Sequence, residues 1–186
     1  MLKSHLALLV CALAPLTAHA TSVAYQSDDM LFKNADIVMT AKVWRFAEAY
    51  DHTNYELEAR ECFKGCQSGQ FVVMTSPGVS QKRPVEGLHE QIDGAPHPQL
   101  NDELIIYLIA MPDGRYQPLS LGLSVYTMKF NAALKRYIAH RETDQLFVAK
   151  PTSGLPARAA QNQVLELNDK FATDVIASLR KKAKAQ

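Results

Sequence analysis

Between Ile37 and Ala110 the apolar residues come in short extended blocks, and no helical repeat separates one block from the next. Ile37 to Phe46 is rich in β-branched and aromatic residues, with Ile37, Met39, Ala41 and Val43 falling on one face of an extended chain. Tyr55, Leu57 and Ala59 then alternate with Glu56, Glu58 and Arg60, the pattern of a strand that is wet on one side. Gln70 to Thr75 forms a third block, closed by Ser76-Pro77-Gly78, and Leu104 to Ala110 is the most apolar stretch after the N-terminus. A parallel α/β sheet needs a helical crossover between successive strands, so that class is disfavoured. Short strands with Gly, Pro, Asn and Asp at their turns favour a mainly β fold, a small antiparallel barrel.

Flanking segments complete the expectation. Ser27-Asp28-Asp29 before Met30-Leu31-Phe32 reads as a short capped helix ending near Asn34. Pro112-Asp113-Gly114 is a turn, and Arg115–Pro118 with Gly122–Met128 reads as one strand interrupted near Pro118 or as two. Lys129 to His140 fits either a helix, through Phe130, Leu134, Tyr137 and Ile138, or a short strand at Tyr137-Ile138-Ala139. Leu146 to Ala149 is a further strand. After a Ser153-Gly154-Leu155-Pro156 linker, a long amphipathic helix is expected from about Ala160 to Lys182, striped by Val164, Leu167, Phe171, Val175 and Leu179 and covering an open end or edge. Arg180, Lys181, Lys182 and Lys184 suit its C-terminal dipole, with a weak membrane-surface contact as the functional option.

Met1-Leu2-Lys3, an apolar run from Leu6 to Ala14, Pro15 and Ala18-His19-Ala20 have the parts of a signal peptide. The domain organisation expected is therefore a leader over 1–20, a barrel over 21–152, and a linker with helix over 153–186. Cleavage removes Lys3 and no acid, which balances the 20 cations against the 19 anions. That neutrality, with an exported location, weighs against a nucleic-acid partner. The expected location is periplasmic or extracellular, with no transmembrane segment.

Cleavage also removes Cys11 and leaves Cys62 and Cys66. In an oxidising compartment such a pair bridges, here around a Lys64-Gly65 turn. A redox pair would want two intervening residues at a helix start, not three. His52, His89, His97 and His140 have no clustered spacing with which to complete a metal site.

Phe32, Asn34-Ala35-Asp36-Ile37-Val38 and Ala41-Lys42-Val43 resemble the start of the netrin-like module found in tissue inhibitors of metalloproteinases. Cys62-Phe63-Lys64-Gly65 and Tyr107-Leu108-Ile109-Ala110 resemble two further motifs of that group. The order Ala35-Asp36, Lys64-Gly65, Thr75-Ser76-Pro77-Gly78, Tyr107-Leu108 and Asp113-Gly114-Arg115-Tyr116 is also similar to a group of uncharacterised bacterial exported proteins. The resemblance implies an OB-like barrel. It does not carry over protease inhibition, because those inhibitors chelate the protease metal with an N-terminal cysteine, and Thr21 stands at that place here.

No G-x-S-x-G, H-E-x-x-H or Gly-rich phosphate loop occurs, so no catalytic residue, metal or cofactor is assigned. The favoured reading is an exported non-enzymatic domain that recognises another extracytoplasmic protein. Its surface would include Trp44 and Phe46, which share a strand face opposite Val43, and residues 84–98, with His89 and His97, of the Pro/Gly-rich loop over 77–102. Two alternatives stand beside it: an oligosaccharide module using the Trp44 face, and a small hydrolase using His89, Glu90, Asp93 and His97. Intact-mass measurement of the exported protein should give a chain beginning at Thr21; a retained Met1 refutes the leader.

Overall fold

Strand alternation decides which side chains turn inward, and the computed structural model carries that alternation into a closed barrel. It describes residues 21–24, 26–79, 92–141, 143, 146–149 and 169–186. The leader, the 153–156 linker, His89, Glu90, Val164 and Leu167 lie outside the described residues. In chain order the elements are β1 (Thr21–Ala24), α1 (Asp28–Asn34), β2 (Ile37–Glu48), β3 (His52–Lys64), β4 (Phe71–Pro77), β5 (Glu103–Ala110), β6 (Tyr116–Gly122), β7 (Val125–Asn131), β8 (Arg136–His140), β9 (Leu146–Ala149), β10 (Asp169–Phe171) and α2 (Ala172–Ala183). Among the described residues no helix is long and apolar enough to cross a membrane.

Five strands close on themselves in the order β2–β3–β4–β6–β5 and back to β2. This is a mainly β, OB-like barrel. Neighbours in the ring run antiparallel, with one exception: β4 meets β6 in parallel, at Met74 and Tyr116. β7, β8 and β10 continue outward from β5 as additional strands, and β1 pairs with β9 in a separate parallel ribbon.

β5 explains its own composition. Leu104, Ile106 and Leu108 enter the barrel interior with Met39, Val43, Tyr55, Leu57 and Met74. Ile105 and Tyr107 point the other way, into a second core with Leu31, Phe32, Phe63, Tyr126, Val175 and Leu179. A strand buried on both faces is apolar throughout rather than alternating. α1 and α2 therefore cover an outer wall of the barrel, not an open end or edge.

One edge of β5 serves two strands. Leu108–Ala110 pairs with β6 and Glu103–Ile106 with β7. The interrupted segment is thus two strands, and its break falls at Leu123-Ser124, where Leu123 N bonds Ser120 O and the Ser124 hydroxyl bonds Leu121 O. Pro118 lies inside β6. Lys129 to His140 is the β7–β8 hairpin, not a helix: cross-strand pairing from Thr127–His140 to Asn131–Arg136 takes the backbone groups that a helix would have used. The expected single helix to Lys182 does not run through Phe171: Asp169–Phe171 adds to the free edge of β8, and α2 begins after it, at Ala172.

The resembling motifs meet at one corner. Asp36 Oδ2 accepts from Ala110 N at 2.7 Å, and Asp36 N donates to Leu108 O at 2.8 Å. Lys64 Nζ donates to Phe32 O and Lys33 O, carbonyls at the C-terminal end of α1. Gly65 sits directly on Asp36: a Cβ there would lie 1.9 Å from the Asp36 carbonyl oxygen, and its φ is +69°. The Cys62–Cys66 disulfide, with Cα atoms 5.7 Å apart, ties the same turn.

Gly65→Ala should destabilise the fold by about 3 kcal/mol, since backbone must move to admit the methyl. Gly69→Ala, at φ +82° but with nothing within 4 Å of the new Cβ, should cost only about 1 kcal/mol. Urea unfolding followed by Trp44 fluorescence measures both, and equal losses would show that the Asp36 contact is not what requires glycine.

Candidate functional site

A bulge in β2 creates the most prominent exposed feature of the barrel wall. Val43 pairs with Leu57 and Arg45 with Glu56, so Trp44 is the extra residue between them. Val43 is fully buried while Trp44 is 54 % exposed. Phe71, which opens β4, is 49 % exposed and meets Trp44 edge to face, ring centroids 6.2 Å apart at 74°. Val73, two residues on, is also exposed.

β3 runs between the two aromatics and supplies charge. Glu58 is in register with Lys42 on one side and Phe71 on the other; Glu56 is in register with Arg45 and Val73. Arg45 pairs with Glu56, and Arg60 donates to Glu58 at 2.8 Å. Farther along the same file, Asn54 Oδ1 accepts from the Thr75 hydroxyl at 2.7 Å and from Arg115 at 3.0 Å. The face therefore combines two solvent-facing rings and a valine with carboxylates that guanidinium groups already hold in place. The strands fix its backbone, so the rings are presented on a rigid support.

The expected site residues separate on this surface. Trp44 faces outward. Phe46 does not stand beside it: it packs inward on the barrel core, 5.9 Å from the Tyr55 ring. The physical reason is the bulge, which adds one residue and reverses the inside–outside alternation beyond it. His97 belongs to a strap over 92–99 that is packed on the barrel rather than spread over it. The Ser76 hydroxyl donates to Pro96 O at 2.7 Å, Gly122 N donates to Gly94 O at 2.9 Å, and the buried Tyr55 hydroxyl lies 3.4 Å from His97 Nδ1. Asp93 occupies a turn in that strap. Among the described residues no group of three or more His, Cys, Asp or Glu side chains could hold a metal ion. Phe71 and Val73 were not singled out from sequence. Their signal was a strand apolar on both alternating files, which requires that one file face out unless a second layer covers it.

A second concentration of charge lies under the helices. The Asp28 carboxylate accepts from Arg141 at 2.6 Å, Lys170 at 2.6 Å and the Tyr126 hydroxyl at 3.0 Å. Arg141 is buried and stacks over the Tyr126 ring at 3.9 Å. Burial works to raise the Asp28 pKa, but Arg141 and the bond from Lys170 outweigh it and hold the group below the ordinary carboxylate value. Burial pushes the hydroxyls of Tyr107 and Tyr126 well above the usual tyrosine range. These groups join α1 to β7, to the residue that follows β8 and to β10, so the cluster fastens segments far apart in sequence. The basic helix end is engaged in the same way: Arg180 grips Glu61 at 2.7 and 2.8 Å, and Lys182 meets Asp29 at 2.6 Å.

No family model and no curated protein matches the chain.

Because Asp28 is depressed in the folded state, its stabilisation is complete above the ordinary carboxylate value of 3.8 and disappears as pH falls from there through the folded value. Asp28→Asn should lower stability at neutral pH by about 3 kcal/mol, since it leaves Arg141 buried without its counter-charge. Urea midpoints against pH should show wild type and variant converging in acid; a constant offset down to the lowest pH would contradict the assignment.

Proposed function

We propose that this is an exported, non-catalytic binding domain that recognises another extracytoplasmic polypeptide through the outer wall of β2, β3 and β4. The observation that carries the reading is the exposed Trp44–Phe71 pair on rigid strands. Single exposed apolar residues are ordinary, but two aromatic rings in mutual contact and flanked by Val73 form a patch that water solvates poorly. Aromatic anchors bordered by charged groups are the usual composition of an interface centre and its rim. By fold-level analogy, OB barrels commonly bind on the wall that corresponds to β3 and β4 here.

The ring geometry favours polypeptide over sugar. A sugar ring stacks best on a flat aromatic floor. At 74° the Phe71 ring stands across the Trp44 plane and breaks such a floor. Glu56, Glu58, Arg45 and Arg60 border the two rings with both signs of charge, which suits the mixed charge of a protein surface.

Trp44 is the single tryptophan of the chain, so its emission reports on this face directly. A photo-crosslinking residue at position 73, in cells exporting the protein, should give one discrete polypeptide adduct. Trp44→Ala and Phe71→Ala should each weaken that partner's binding by at least about thirtyfold, the loss expected of a central aromatic anchor. Absence of an adduct, with Trp44 emission shifted by oligosaccharides, would reassign the face to carbohydrate.

A further inference from the structure

The barrel wall is not the chain's only exposed aromatic pair. Residues 129–137, at the end of the β7–β8 hairpin, are exposed without a break. Phe130, Leu134 and Tyr137 are each more than half exposed, and the Phe130 and Tyr137 rings meet edge to face at 5.3 Å. The stretch also contains Lys129, Lys135 and Arg136 and no acidic residue. That is a charge of +3 in nine residues of a chain whose whole formal charge is +1.

Among the described residues no further strand flanks the end of this ribbon. β5 pairs with β7 up to Met128, and β10 pairs with β8 over Ile138–His140. Beyond those positions the two strands pair with each other, and Lys135, at φ +50°, closes the tip. Leu134 also forms one wall of an open groove with Ile138, Phe171 and Val175. Asp169 and Asp174 also line the groove, and Asp169 is held by His140 at 2.6 Å. Lys129, Lys135 and Arg136 meet no carboxylate at ion-pair distance among the described residues, while Arg136 lies over the Phe171 ring at 5.0 Å.

We propose that the β7–β8 hairpin docks on an anionic phospholipid bilayer, with Phe130, Leu134 and Tyr137 at the headgroup–acyl boundary and Lys129, Lys135 and Arg136 on the lipid phosphates. Aromatic and aliphatic side chains flanked by cations suit that boundary, which takes up rings while lysine and arginine stems extend back to the headgroups. The exposed end of a two-stranded ribbon offers little of the broad, flat area that a stable protein interface buries, whereas lipid headgroups can rearrange around it. The cations of α2 are less suited to this task, since Arg180 and Lys182 already hold Glu61 and Asp29. This inference uses a different surface from the barrel wall and stands independently of the function proposed for it.

Flotation of the purified protein with vesicles of phosphatidylcholine alone, or mixed with phosphatidylglycerol, tests it. Each cation near an anionic surface multiplies binding about fivefold, so three should favour the anionic vesicles on the order of a hundredfold, less at high salt. The charge reversals Lys129→Glu with Lys135→Glu should abolish that preference, and Phe130→Ser with Tyr137→Ser should abolish retention. Both pairs are exposed, and unchanged urea midpoints would show that the fold is intact. With Trp44→Phe to remove the native signal, Phe130→Trp should shift to the blue and be quenched by brominated lipids on anionic vesicles. Equal binding to both vesicle types overturns the proposal, as does retention that survives the charge reversals. A Phe130→Trp emission that stays at its aqueous wavelength overturns it too, including where a crosslinker in the hairpin captures a protein instead.

Discussion

The approach of Gly65 to the Asp36 carbonyl is the contact on which the rest of the architecture depends. At that point the end of β3 crosses the start of β2 with no room for a side chain between them. The crossing lets Asp36 reach the last backbone amide of β5 and lets Lys64 reach the final carbonyls of α1. Three strands and a helix are therefore registered by one small residue. The disulfide adds a local covalent tie to the turn that holds it, a constraint worth about 2 kcal/mol for so short a loop.

From that corner the barrel acquires two cores rather than one. β5 lies between them, filling the barrel with one file of side chains and seating the helices with the other. Burial on both faces makes it the least adjustable strand of the fold, because a register slip of one residue would exchange both files at once. The helices in turn need the Asp28 cluster. Their apolar contacts give no preference for one chain end over another, whereas a carboxylate with three donors from two distant segments does. The buried charges thus specify which segments dock together, a use of polar groups known from other folds.

What is left outside these cores is also determined by geometry. The helices pack on β5, on the Glu61–Phe63 end of β3 and on the outer strands β8 and β10, whereas the Trp44–Phe71 stretch of β2, β3 and β4 has no second layer among the described residues. Phe71 and Val73 are exposed for that reason, not because the sequence marks them as surface residues. The hairpin tip is exposed for a different reason: its strands outlast their neighbours, so among the described residues no strand lies beside the ribbon's end. Two aromatic pairs of similar appearance thus arise from two distinct features, an uncovered stretch of wall and the end of a ribbon.

Much of the fold was legible in the chain itself. Alternation located β2, β3 and β4, the unbroken apolar run identified β5 as central, and Ser27 with two aspartates announced α1. The Lys64-Gly65 and Asp36 motifs marked positions that proved to touch. Cys62 and Cys66 were paired by the oxidising compartment expected for the chain and by the turn between them. These are local properties, set by backbone preference and by the period with which apolar residues recur. The position of Phe46, the strand character of Lys129–His140 and the start of α2 after Phe171 were not local. Each depends on a partner far away in sequence: a bulge is defined only against the opposing strand, an ambiguous amphipathic stretch takes the form its neighbour's free edge offers, and a helix cannot begin until the preceding residues leave a ladder. Backbone preference and apolar periodicity already specify a barrel of short strands preceded and followed by a helix. Which rings face the solvent is settled when the segments pack, because exposure is a relation between segments and is encoded in none of them alone.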